Sequence, residues 1–406
     1  MALPPIICIS FPAWEGNYVK STVQLMKAIA PHEQVLFVDY PYTYKDMAVK
    51  LLRRKGYAKV RRLTGALPRL RTEHLPEGGS INILSLPPMI PTNWLPQGVL
   101  LDQALKFNLE RMKAEVWSAM NQLEMHHPVV INAFNPVFGQ GLVRAFNPIL
   151  EIYYCYDEIS AAPWQKRHGA WAEKAYAQKV DGIICSSAAL QETKRALNPN
   201  CMVVNNGVEA SFIDRLAACD PLAANRAQKV IGYVGSIDSR IDLELILPVI
   251  EAFANYTFRF VGRINSSEVE SALKKCHNVE LLGPKPLDEL PEHLASFDVG
   301  IIPFKVDDFT AGIYPMKMNE YLAAGLPVVS TNFGDMSSFQ ELARLGNNAG
   351  EFIHHIEESI KQNNRAIQIE RKAFAAQNTW VQRGEQFRNL LEEMISPQRA
   401  KKSLSA

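Results

Sequence analysis

Residues 298–331 read DVGIIPFKVDDFTAGIYPMKMNEYLAAGLPVVST. The run Asp298–Pro303 is short, apolar and closed by proline, which predicts a buried strand. Pro315 then opens a helix, where its missing N–H is harmless and its fixed φ fits. Gly325 suits the left-handed position after the last turn. Pro327 bars continuation, and Pro327–Thr331 predicts the next strand. Strand, loop, helix and strand in this order form the repeating unit of a parallel α/β sheet. A helix that starts at the carboxyl end of such a strand gathers free N–H groups and the positive end of its dipole, which suits an anion such as a diphosphate. Lys317 lies in the first turn. It shares one helix face with Glu320, three residues on, and a carboxylate there can accept two hydroxyl hydrogen bonds from a ribose. The plainer reading of the same pair is an ion pair on an ordinary amphipathic helix.

Working outward, the same rhythm fills the chain. Downstream of 228, strands are predicted at Lys229–Val234, Thr257–Val261 and Val279–Leu282, with a helix around Leu243–Phe253. Upstream, strands are predicted at Ile6–Ser10, Gln34–Asp39, Ile81–Leu86, Val129–Asn132, Glu151–Tyr156, Gly182–Ser186 and Met202–Asn205. Helices are predicted at Lys20–Ile29 and Leu101–Leu123. Strands alternating with helices at this spacing argue for two doubly wound parallel sheets. The 406 residues suit two domains. The expected division is 1–220 and 221–378, with Asp220–Gln228 as linker. A last helix over 379–396 is expected to pack back on the first domain, ahead of a polar tail at 397–406. With 47% apolar and 21% charged residues the composition is that of a globular protein, and a net charge of +1 argues against nucleic acid as a partner. The six cysteines are scattered, with no C-x-x-C pair and no histidine cluster at zinc spacing. That points to reduced thiols and a cytoplasmic setting. No signal peptide and no membrane-length apolar run is read, so any membrane work is expected at the inner surface.

The series Pro315, Lys317, Glu320, Tyr321, Leu322, Ala323, Ala324, Gly325, Pro327, Val328, Val329 resembles the donor-site signature of GT-B-fold glycosyltransferases of the "group 1" type. The resemblance implies two Rossmann-like doubly wound parallel-sheet domains facing across a cleft. It implies a nucleoside-diphosphate sugar, of UDP or GDP type, as co-substrate in the C-terminal domain, with no further cofactor. The family's ribose-binding glutamate falls on Glu320. A second family glutamate, eight residues earlier, falls on Gly312, so backbone N–H groups of Ala311–Tyr314, Ile313 included, are the expected substitutes. Tyr233-Val234-Gly235-Ser236 resembles the family's first strand and glycine turn. Where many members continue with an arginine and a lysine, this chain has Ser236 and, nearby, Arg240. Arg240 and Arg263 are the candidate phosphate ligands alongside Lys317, with solvated loop arginines as the alternative. Leu281–Pro284 and Val203–Val208 resemble further family segments.

The N-terminal domain is then expected to bind the acceptor, a glycan or lipid-linked hydroxyl compound. Glu15, Gly16 and Asn17 follow the first strand, and Asn135 follows another. Asp157, in YYCYDEIS, is the first candidate for a general base and Glu15 the second. A helix cap or a surface acid is the alternative for each. Asp307-Asp308 invites a metal reading, which the chain order argues against. In the resembled family the helix dipole and cations stabilise the leaving diphosphate. Residues 45–62 hold eight Lys/Arg and one acid, Asp46. Such a stretch suits an anionic lipid surface or an anionic acceptor, or is a solvated helix. No G-x-G-x-x-G follows a strand and no Gly-Lys-Ser/Thr loop is present, which excludes nicotinamide enzymes and P-loop kinases. A sugar-nucleotide epimerase of the same fold, or a non-catalytic nucleotide-sugar-binding subunit, remain the alternatives. Polysaccharide or cell-envelope glycan synthesis is the setting the resemblance implies.

Overall fold

The structure, a computed structural model, describes residues 3–16, 20–53, 56–160, 167–218 and 228–403, with side chains through Ser396. The chain divides into two compact units, residues 1–205 with 383–406, and residues 206–382.

The N-terminal unit is built on β1 (Ile6–Ser10), β2 (Val35–Val38), β3 (Leu70–His74), β4 (Ser80–Leu84), β5 (Val129–Ala133), β6 (Leu150–Cys155), β7 (Gly182–Cys185) and β8 (Cys201–Val203). Their order is β3-β4-β2-β1-β5-β6-β7-β8. The central strands are largely apolar and buried at every position in β1, β2, β5 and β6, with Asn132 and Glu151 as the polar exceptions in β5 and β6, as for a sheet covered on both faces. One edge departs from the expected all-parallel sheet: β3 pairs antiparallel with β4. Only residues 75–79 separate the two, too few for a parallel crossover. The turn is made by Gly78 and Gly79, at φ 99° and 77°.

The C-terminal unit holds β9 (Val230–Val234), β10 (Thr257–Val261), β11 (Val279–Gly283), β12 (Val299–Ile302), β13 (Val328–Ser330) and β14 (Ala343–Leu345). All neighbours are parallel, in the order β11-β10-β9-β12-β13-β14. By rank in the chain this is 3-2-1-4-5-6, the doubly wound nucleotide-binding order. Its direction reverses between β9 and β12. Close packing there depends on missing Cβ atoms: one added at Gly232 would lie 2.0 Å from the Phe297 ring.

The expected boundary near 220 falls among residues 219–227, outside the described residues. Helix Ala210–Ala217 already belongs to the second core, since Phe212 and Leu216 are buried among its strands. The last helix is longer than expected, Trp380–Ser403, and takes in much of the segment expected as a tail. Its Arg388 guanidinium donates to the buried Glu33 carboxylate at 2.6 and 3.0 Å, and Phe387 meets Tyr154 edge-on. The basic stretch 45–62 forms parts of two helices, Tyr44–Leu52 and Tyr57–Thr64. Among the described residues no helix is long and apolar enough to cross a membrane.

Candidate functional site

The reversal point of the C-terminal sheet is where a doubly wound fold binds its ligand, at the carboxyl ends of the strands. Here that edge is shaped by two glycines. Gly235 follows β9 at φ 133°, and Gly262 follows β10 at φ 153°. A Cβ on Gly262 would lie 1.8 Å from the Gly235 carbonyl oxygen, and one on Gly235 would lie 2.2 Å from Cε of Lys317. Neither position tolerates a side chain in this arrangement.

Lys317 reaches back from the first turn of helix Met316–Ala323 and lays its stem over Gly235. Its ammonium lies 5.0 Å from the centre of the Phe304 ring and 5.5 Å from that of Tyr233. The guanidinium of Arg240 lies 4.9 Å from the same Phe304 ring. Arg240 is held in a fork by Asp238, with Nε donating at 2.9 Å and a terminal nitrogen at 2.7 Å. Two cations thus share one aromatic platform at the end of β12. Burial and the neighbouring Arg240 push the Lys317 ammonium down, against the pull of Glu320 and Asp238, to about 8. Burial raises the Glu320 carboxyl to about 7; Lys317 opposes that rise and Glu209 adds to it. Burial therefore disfavours both charges, and an anion placed between Lys317 and Arg240 relieves the repulsion between them.

Tyr321 fixes the helix to the sheet. Its buried hydroxyl accepts from the Val234 amide at 2.8 Å and donates to the Ile301 carbonyl at 3.4 Å, so it wedges between β9 and β12 where they diverge. The asparagine-glycine turn lies against the same helix: the Asn319 amide donates to the Asn206 carbonyl at 3.4 Å.

The structure thus brings Gly235, Arg240 and Lys317 together, with Glu320 one turn further along the helix. Arg263 is exposed, and its carbonyl accepts from the Ile237 amide at 2.9 Å, which ties the loops after β10 and β9. Gly312 caps the short helix Asp308–Ala311 in a right-handed conformation. The Ile313 amide is spent on the Thr310 carbonyl, and the Tyr314 side chain is buried in the core against Phe339. Asp307 is the cap of the same short helix, accepting from the Phe309 and Thr310 amides. Among the described residues no three His, Cys, Asp or Glu side chains gather as metal ligands.

In the N-terminal unit Glu15 accepts from Arg71 at 2.8 Å and lies 3.8 Å from Lys59. Gly16 adjoins Lys20, whose ammonium donates to the carbonyls of Ala13 and Glu15. Asn17 lies outside the described residues. Asn135 is buried, and its backbone is tied to the Asn132 side chain. Asp157 is half-buried after β6 and accepts from the Glu158 amide at 3.1 Å. Sequence reasoning missed Asp238 and Phe304. The only trace was the Asp238-x-Arg240 spacing and an aromatic residue directly after a strand.

Two Rossmann-like units, the second with two cations beside its reversal point, define the GT-B class of α/β fold. Residues 228–362, within the C-terminal unit, match the family model described as glycosyl transferases group 1. A Bacillus subtilis protein provisionally named a teichuronic acid biosynthesis glycosyltransferase, TuaH, is 29% identical over 178 residues. That match covers 42% of this chain and 45% of TuaH, less than half of either. Among solved structures, Anabaena HepE in complex with UDP and glucose superposes with a TM-score of 0.61 at 14% identity, over 96% of this chain and 99% of that one. An α,α-trehalose 6-phosphate synthase from Burkholderia multivorans gives 0.67 at 8% identity over the full length of both chains. At these identities the likeness is one of fold.

Proposed function

We propose that the chain is a metal-independent glycosyltransferase of the hexosyl type that moves a sugar from a nucleoside-diphosphate sugar to a hydroxyl acceptor in polysaccharide or cell-envelope glycan synthesis. The observation that carries the proposal is the pair Lys317 and Arg240 on the Phe304 ring, two cations side by side where a doubly wound sheet takes its ligand. In this reading the diphosphate sits at the start of helix Met316–Ala323, between the two cations and beside Arg263. The Glu320 carboxylate accepts hydrogen bonds from the ribose hydroxyls. As the sugar leaves, charge grows on the diphosphate, and fixed cations stabilise that charge without reorganising. HepE, crystallised with UDP and glucose, and the name of TuaH support a UDP-type donor and an envelope polysaccharide.

Asp157 is the proposed base for the acceptor hydroxyl. Glu15, engaged by Arg71 and Lys59, instead positions those cations. Helix Tyr44–Leu52 buries none of its residues and exposes Tyr44, Val49, Leu51 and Leu52 beside Lys45 and Arg53. That composition suits contact with an anionic leaflet at the inner face of the membrane.

The test is release of UDP or GDP from a panel of their sugars, with membrane lipid extract as acceptor source and with EDTA throughout. Acceptor-dependent, EDTA-resistant release is expected. Donor binding with no release would leave a nucleotide-sugar-binding subunit. Conversion of donor to its epimer without acceptor would leave an epimerase.

A further inference from the structure

A cavity of about 330 Å³ opens in the N-terminal unit. Phe11, Tyr40 and Asn135, which follow β1, β2 and β5, all line it. It therefore lies at the carboxyl ends of these strands, where this sheet's own order reverses between β1 and β5.

The chemistry of its wall is specific. Lys45 and Arg167 contribute two cations against one acid, Asp46. That carboxylate is already engaged, accepting from the Thr43 amide at 2.8 Å and the Thr43 hydroxyl at 2.7 Å. The Arg167 guanidinium donates to the Trp94 carbonyl, and the Trp94 side chain, which also lines the cavity, is 67% exposed. Asn135 and His168 also line the cavity, at 3% and 4% exposure. Each keeps one polar atom without a hydrogen-bond partner, Nδ2 of Asn135 and Nδ1 of His168. Nε2 of His168 faces the Leu95 carbonyl at 3.1 Å, which places a proton on Nε2 and, in the neutral ring, leaves a lone pair on Nδ1. Just behind this wall lie an unmet donor and an unmet acceptor, and unpaired buried groups of this kind are costly. Hydroxyls that reach them satisfy both: one accepts from the amide and one donates to the imidazole.

We propose that this cavity is the acceptor subsite and that the acceptor it takes is an anionic sugar. Its hydroxyls meet Asn135 and His168, its ring lies against Trp94, and its carboxylate or phosphate meets Lys45 and Arg167. The inference rests on the glycosyltransferase reading above and adds the chemical class of the acceptor.

The experiment is saturation-transfer NMR on the full-length protein, with glucuronic acid, glucose 6-phosphate, glucose and decyl phosphate as probes. UDP and GDP affinity is measured in parallel by calorimetry. Two partly exposed ion pairs predict anionic sugars binding about fivefold tighter than glucose, an advantage that fades at high salt. The better of the two anionic sugars names the group as carboxylate or phosphate. In Lys45→Ala/Arg167→Ala the advantage disappears while nucleotide affinity holds. Asn135→Ala weakens all three sugars alike and keeps the anionic preference. The salt dependence of the unmodified protein provides the reading if a variant fails to fold. Equal binding of glucose, an undiminished preference in the double variant, or displacement of the sugars by decyl phosphate at equal affinity would overturn the inference. Failure to bind either nucleotide counts against the donor reading, whereas nucleotide binding with no sugar discrimination counts against this one alone.

Discussion

Lys317→Met separates function from stability at one position. Methionine keeps the apolar stem over Gly235 and removes the charge. Moving the ammonium's titration from 10.5 to about 8 corresponds to about 3 kcal/mol held against the charged form. Lys317 is only half-buried, and solvent screening reduces the realised penalty to about 1 kcal/mol. At pH 7 the unligated variant is therefore expected to melt about 2–4 °C higher than the parent, or at worst level with it. The effect fades with pH in a defined way. A lysine whose folded pKa is depressed binds fewer protons folded than unfolded between about 8 and 10.5, so the parent gains stability across that window. The advantage of the variant should shrink there. Meanwhile the stabilisation given by saturating nucleotide, about 2.7 kcal/mol at a hundred times the dissociation constant, should largely vanish in the variant. Differential scanning fluorimetry at pH 7 and pH 10, with and without UDP and GDP, reads all of this. A variant that melts several degrees lower and keeps the full nucleotide shift would refute the reasoning, because Lys317 would then be a structural prop.

Three other perturbations follow from the same geometry. Glu320, raised to about 7, must be ionised to accept two hydroxyls, and Lys317 must stay protonated below about 8. Donor affinity measured by calorimetry should therefore peak between these values, and Glu320→Gln should bind more weakly and lose the acidic limb. A carboxyl with a raised folded pKa also costs the empty protein stability as pH climbs from 4.5 to about 7, a slope the Gln variant should lack in urea titrations. Tyr321→Phe leaves the buried Val234 amide unpaired, so urea titration should show a loss of about 1–3 kcal/mol with little change in nucleotide affinity. Gly235→Ala drives a methyl group into Lys317 and imposes a left-handed backbone on alanine. About 1–2 kcal/mol of stability should be lost, and calorimetry should show nucleotide affinity falling with it.

The backbone plan was legible because it rests on strong local signals. Proline at the start and glycine at the end bracket helix Met316–Ala323, and apolar runs of four to six residues mark the central strands. Strand β3 was not legible: Leu70–His74 is polar at an exposed edge and carries no hydrophobic period, although Gly78-Gly79 did signal a turn. Lys317 and Glu320 were placed on one face by helix spacing, and their expected role came from the family resemblance. Phe304 and Asp238 were not found, because an aromatic platform and a guanidinium clamp are assembled by strand order, which pattern alone does not supply. At Tyr314 the expected contact was a backbone one, and its ring fills the core. The basic run 45–62 also hid a division, since Lys59 turns inward to Asp39 at 2.5 Å while Leu52 is 84% exposed.

In the proposed reading the nucleotide sits at the reversal point of the C-terminal sheet. Hydrogen–deuterium exchange of the full-length protein, with and without saturating UDP or GDP, locates it. Slowed exchange is expected in the peptides covering 233–240 and 303–323. Protection confined to other segments, or none with either nucleotide, would contradict it.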